Sequence, residues 1–120
     1  MYCYVLVPPS QPNVTPLGPA FENREGTAIA KCMSSGFRPK TVKVTWTKQG
    51  YHSEPDFKLT LTGIGNNSFS LVSHYTRLLN RSNNGKTLSC NVSHMALTQN
   101  ESESITITVL CRYVHQCFHF

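Results

Sequence analysis

Within Thr41-Val-Lys-Val-Thr-Trp-Thr-Lys48, Val42, Val44 and Trp46 alternate with Lys43, Thr45 and Thr47. A period of two puts each set on its own side of a strand, so the stretch has one apolar and one solvated face. The single tryptophan of the sequence lies on the apolar side, and a ring of that size needs a core to cover it.

The same period recurs on both sides of this strand. Ala28, Ala30 and Cys32 stand opposite Ile29, Lys31 and Met33 until Ser35-Gly-Phe-Arg-Pro39 breaks the pattern. Phe57, Leu59 and Leu61 alternate with Lys58, Thr60 and Thr62; Leu88, Cys90 and Val92 share one face; Ile105, Ile107 and Val109 close the set. Ser68 to Leu79 has the length of a strand but carries apolar residues in both phases, which leaves its inward face open. Gly63-Ile-Gly-Asn-Asn67 and Asn83-Asn-Gly85 are turn signals, because glycine and asparagine accept the backbone angles of tight turns. The start, with Pro8, Pro9, Pro12, Pro16 and Pro19, is barred from a central strand because proline donates no ladder hydrogen bond. It reads as a linker running into an edge strand. Seven strands separated by turn signals predict an all-β, antiparallel Greek-key sandwich of two sheets.

Cys32 falls on the second strand, Trp46 fourteen positions later on the third, and Cys90 on the sixth. In such a sandwich the second and sixth strands belong to opposite sheets, so inward cysteines can bridge the core with the indole packed against the sulfurs. Two unpaired thiols at an accidental spacing are the alternative. Val44, Trp46, Leu88 and Val92 are the expected core around this pair.

A length of 120 residues suffices for one domain. Apolar residues make up 39% and charged residues 14%, a balance that suits a half-solvated sheet protein better than a helical bundle. The net charge of +5 is spread from Arg24 to Arg112, without the tight basic stripe of a nucleic-acid surface. Five cysteines accompany five Asn-x-Ser/Thr sequons, at Asn13, Asn66, Asn80, Asn91 and Asn100. Together they point to the secretory route and an oxidising compartment. The first twelve residues lack both a basic residue and an apolar run suited to a leader, and no stretch approaches the ~18 apolar residues of a membrane span. The sequence therefore reads as a piece of a longer extracellular protein or an unusual transcript product, with no membrane insertion by this segment.

Catalysis has little to build on. Of six acidic residues only Glu54 and Asp56 stand close together, in a turn where solvated charge explains them, and no nucleophile, base and oxyanion donors assemble. His94 would share a strand face with Cys90, but a disulfide sulfur cannot attack, so a strand-end histidine bonded to backbone is the expectation. Cys111, His115, Cys117 and His119 in the tail are of the types zinc accepts, at a spacing that matches no usual zinc pattern. A Cys111 to Cys117 disulfide, an intermolecular bond or a tail without selected function is expected before a metal site. No cofactor is expected, and for Cys3 the readings are a bond to a tail cysteine or the remnant of a preceding domain's own staple.

Cys32, Gly36-Phe-Arg-Pro-Lys40, Val44-Thr-Trp46 and Cys90-x-Val-x-His94-x-x-Leu97 together resemble a constant-type domain of the immunoglobulin superfamily, from about Gln11 to Leu110. Leu71-Val-Ser-His-Tyr75 and Asn84-Gly-Lys-Thr-Leu-Ser-Cys90 are similar to the second domains of nectins and poliovirus-receptor-like proteins. Gly36-Phe-Arg-Pro-Lys-Thr-Val-Lys-Val-Thr-Trp46 resembles an antibody constant domain. Leu88 stands two residues before Cys90, where many such domains carry a corner tyrosine; an aliphatic there leans toward the nectin-like group. The resemblance divides the sequence into 1–11, a linker or the end of a preceding domain, a constant-type domain over 12–110, and a tail over 111–120.

It implies a non-enzymatic, extracellular domain of a cell-surface adhesion or immune-recognition receptor. Such a domain would space and orient a recognition domain, contact other immunoglobulin-superfamily surface proteins and associate laterally with itself. The alternatives are an antigen-receptor constant domain that pairs with a partner chain, marked by an apolar patch on one sheet, and a secreted truncated competitor.

Overall fold

The alternation around Trp46 becomes the strand Lys43–Lys48, flanked by others of the same kind. The computed structural model describes residues 6–17, 20–21, 29–48, 58–65, 67–76 and 84–110. In sequence order the strands are β1 (Asn13–Pro16), β2 (Ala20–Phe21), β3 (Ala30–Phe37), β4 (Lys43–Lys48), β5 (Lys58–Gly65), β6 (Ser68–Tyr75), β7 (Thr87–Ser93), β8 (Glu101–Thr106) and β9 (Val109–Leu110). One sheet runs β1-β3-β6-β5 and the other β4-β7-β8, all antiparallel. The fold is the two-sheet, all-β sandwich expected from the strand pattern.

Among the described residues the seven expected strands become nine segments, because the first and last are each split. The first pairs with β3 through Pro16, and Leu17 N–H still donates to Ile29 O at 3.0 Å. Ala20–Phe21 then lies parallel to Val109–Leu110, the one parallel ladder among these residues. Proline at the end of β1 fits an edge strand, since its missing N–H leaves no inner partner unserved. The last strand is interrupted beyond Thr106. Ile107 exchanges bonds with the turn at Gly85 and Lys86, and Val109 N–H donates to the Asn84 side chain at 2.9 Å.

Two expected breaks turn out to be irregularities inside strands. β3 continues through Ser35-Gly-Phe37, with a register shift between Ser35 and Phe37. Gly36 is the extra residue, at φ +80°, and the bulge changes the inward phase from Cys32 and Ser34 to Phe37, which is fully buried. β5 likewise runs on to Gly65 across a shift at Gly63/Gly65, and the turn comes at Asn67, φ 58°. The open phase of Ser68 to Leu79 resolves over β6, where Leu71, Ser73 and Tyr75 point inward. A serine at the centre of that inward row is what blurs the pattern in the sequence.

The core gathers Val14, Ala30, Cys32, Phe37, Val44, Trp46, Leu71, Tyr75, Leu88, Cys90, Val92, Ile107 and Val109 from both sheets. Before β1 the backbone lies along the end of β3: Val7 and Arg38 exchange backbone bonds at 3.2 and 3.0 Å, and Ser10 N–H donates to Ser35 O at 3.0 Å. Pro9 and Pro12 are buried there.

Candidate functional site

The interior is closed to chemistry by its own bonding. Cys32 on β3 and Cys90 on β7 are joined by a disulfide across the two sheets, with Cα atoms 6.3 Å apart. Trp46 is the register partner of Cys90, and its ring lies 5.4 Å from that of Tyr75. The indole Nε1–H donates to Ser73 Oγ on β6 at 2.8 Å. Both residues are fully buried, so this bond satisfies the one polar atom of the indole from the opposite sheet. Val44, Leu88 and Val92 complete the wall, each at most 1% exposed.

His94 closes the end of β7. Ala96 N–H donates to Nδ1 at 3.1 Å, and a backbone N–H can only donate, so the ring's proton sits on Nε2. That Nε2–H donates to Pro39 O at 2.8 Å, and the ring stands edge-on to Phe37 at 5.5 Å. An open groove of about 510 Å³ lies beside it, lined by Pro39, Thr41, Val42, Lys43, Ser93, His94 and Met95. Both imidazole nitrogens are committed to backbone and no carboxylate or thiol faces them in the lining. The groove has no acid-base pair to offer a substrate.

Among the described residues the broadest surfaces are the outer faces of the two sheets, and the two differ. Register puts Thr45, Thr47, Ser89, Asn91, Ser102 and Ser104 on the outside of β4-β7-β8. Ser89 and Ser104 hydroxyls are 2.6 Å apart, and Lys43 is the only charged residue in the β4 row of this face. On the outside of β1-β3-β6-β5 the register partners Met33 and Val72 form an apolar pair at the centre. Lys31, His74, Ser35, Ser70, Thr60 and Thr15 surround it. Leu61 and Ile64 are exposed on the edge strand β5, at 41% and 53%.

Three sequons can be placed. Asn13 is exposed on the edge strand β1. Asn91 points outward but is half-buried: Nδ2 donates to Thr47 Oγ1 at 3.0 Å and to Thr45 O at 3.3 Å, and Oδ1 accepts from Ser102 Oγ at 2.8 Å. Asn100 is exposed, and its Oδ1 accepts from Ser93 Oγ at 2.8 Å. Asn66, Asn80, Cys3, Glu54, Asp56, Cys111, His115, Cys117 and His119 lie outside the described residues. Among the described residues no group of three or more His, Cys, Asp or Glu could hold a metal ion, and no helix is long and apolar enough to cross a membrane. Sequence reasoning missed Ser73, which a buried indole N–H in need of an acceptor would have signalled. It also missed the hydroxyl rows of β4, β7 and β8, legible as Ser or Thr at every second position.

The described geometry is a disulfide-stapled sandwich with a tryptophan against the staple, and the model of the immunoglobulin C1-set domain matches residues 14–97. The chain belongs to the immunoglobulin C1-set family. This C1-set domain is 32% identical over 75 residues to the constant region of an Ig heavy chain from Heterodontus francisci, a match that takes in 62% of this sequence and 19% of the relative. The membrane-bound form from the same organism matches at 32% over 75 residues, with 62% of this sequence and 16% of the relative. The domain thus spans under a fifth of the length of either. Among solved structures, "Rst D1-D2" superposes with a TM-score of 0.77 at 23% identity, over 88% of this sequence and 51% of that one. The full ectodomain (Ig1–Ig3) of mouse nectin-like molecule 4 superposes with a TM-score of 0.76 at 19% identity, over 90% and 36%. These two likenesses carry the fold alone. The protein is an immunoglobulin-like domain of constant type, an all-β sandwich stapled between its sheets.

Proposed function

We propose that this C1-set domain is a constant domain of antigen-receptor type, which pairs with an immunoglobulin domain of a partner protein through its four-stranded sheet. The identity with the constant region of an Ig heavy chain supports this reading, and it displaces the adhesion-receptor spacer from first place. Met33 and Val72 support the choice of face. They are the cross-strand apolar pair at the middle of an otherwise polar surface, where a partner's side chains would exclude water, with Lys31 and the hydroxyl residues as a rim. The face of β4-β7-β8 offers no apolar side chain among its central positions.

The test is site-specific photo-crosslinking of the domain displayed on cells through a leader and an anchor. A crosslinker at Val72 is expected to capture a protein other than this one that mass spectrometry identifies as carrying an immunoglobulin domain, and one at Ser104 is not. Capture from Ser104 alone, or of a non-immunoglobulin protein from Val72, overturns the reading. The spacer role in an adhesion receptor is the second reading, supported by the superposition on nectin-like molecule 4; it predicts self-capture or no capture at either position.

A further inference from the structure

β7 and β8 place two sequons opposite each other. Asn91-Val-Ser93 and Asn100-Glu-Ser102 run antiparallel with Asn91 paired to Ser102 and Val92 to Glu101. Each sequon's hydroxyl serves the other's asparagine: Ser102 Oγ donates to Asn91 Oδ1 and Ser93 Oγ donates to Asn100 Oδ1, both at 2.8 Å. The asparagines differ in what holds the nitrogen. Asn91 Nδ2 reaches across to β4, to Thr47 Oγ1 at 3.0 Å and to Thr45 O at 3.3 Å. Thr45 O can only accept, which fixes the amide's orientation, and both Nδ2 hydrogens are then in use. Asn100 Nδ2 has no hydrogen-bond partner among the described residues, and the side chain is exposed.

We infer that the pair acts as one glycan acceptor, with Asn100 modified and Asn91 kept bare as the amide that ties β4 to β7 and β8. In N-glycosylation, Nδ2 attacks the anomeric carbon of an oligosaccharide carried on a polyprenyl diphosphate. The N–C bond forms as the C–O bond to phosphate breaks; the lipid diphosphate leaves with the electron pair, and Nδ2 gives one proton to a base of the transferase. The product amide keeps a single hydrogen on nitrogen. At Asn100 nothing in the fold is lost, because the bond from Ser93 uses Oδ1. At Asn91 one of the two bonds to β4 disappears and a sugar must occupy the space over Thr45 and Thr47. A molecule glycosylated at Asn91 keeps the backbone ladder of β4 and β7 but loses part of the amide tie across it, so it folds less stably and the folded product is enriched in the form modified at Asn100. Folding also removes each hydroxyl from its own asparagine, so transfer precedes the pairing of β7 with β8.

The full-length protein, secreted from animal cells behind a heterologous leader, is separated into folded soluble and retained fractions. Enzymatic glycan release in ¹⁸O water converts each occupied asparagine to labelled aspartate. The folded fraction is expected to carry label at Asn100 and none at Asn91; label at Asn91, or its absence at Asn100, overturns the inference. A second measurement needs no glycan. In oxidatively refolded, unglycosylated protein, Asn91→Asp removes the donors and sets a carboxylate against Thr45 O, while Asn100→Asp keeps the acceptor for Ser93. The first is expected to lower the melting temperature by at least about 4 °C and the second to leave it within about 1 °C. Equal midpoints would remove the structural half of the argument.

Discussion

At the residue scale, Trp46 has two attachments to the opposite sheet, a tilted ring contact with Tyr75 and an N–H bonded to Ser73. Replacing Ser73 by alanine leaves that N–H buried without an acceptor, which costs about 1–3 kcal/mol. Guanidinium unfolding of Ser73→Ala is expected to give a loss in that range with an unchanged denaturant slope; a loss under about 0.3 kcal/mol would show the bond to be idle. Trp46 itself was legible from the alternation of Val42 to Thr47. Ser73 was not, because a strand pattern marks apolar residues as inward and counts a hydroxyl against burial. His94 belongs to the same scale: its position after Cys90 told of a strand end, but the bond to Pro39 O depends on a segment 55 residues distant, and no local pattern carries that.

At the element scale the bulge in β3 decides how the sandwich closes. Gly36 lies at φ +80° with no atom within 4 Å of an added Cβ, so Gly36→Ala pays only for backbone conformation, about 1–2 kcal/mol. Asparagine, which tolerates the left-handed region, is expected to cost less than alanine at this position. Thermal unfolding of the two variants checks the order, and the reverse order would mean that Gly36 is needed for something other than φ. The sequence marked Ser35-Gly-Phe-Arg-Pro39 as an interruption, and the interruption is real. What it could not convey is that β3 resumes for Phe37 in the opposite phase, because the partner Phe69 comes from β6 and is set by pairing rather than by neighbours. The same reason hid the split of the last strand: Ile105, Ile107 and Val109 alternate correctly, yet the side chain of Asn84 takes the N–H of Val109 and ends the ladder.

At the scale of the whole molecule the staple sets the stability. Cys32 and Cys90 close a loop of 58 positions, which in the loop-entropy account restrains the unfolded state by about 4 kcal/mol. The double variant Cys32→Ala/Cys90→Ala is expected to lose about 2–5 kcal/mol, measured by urea unfolding at 25 °C. A loss below about 1 kcal/mol would mean that the core holds the sheets together unaided. Fold class and staple were readable because both rest on period-two alternation and on cysteines in strands that must face each other. The outer faces were less readable. Their character depends on register, which brings Met33 beside Val72 and Asn91 beside Ser102 from positions far apart in the sequence.

The split first strand has a mechanical consequence. β2 and β9 run parallel, so once β1 has come away from β3, tension along the sequence pulls the start of β2 against the end of β9. The force then acts along the strands, and their hydrogen bonds must give way together rather than one by one as in a peeled antiparallel pair. A domain loaded in this way resists stretching until the short parallel clasp shears.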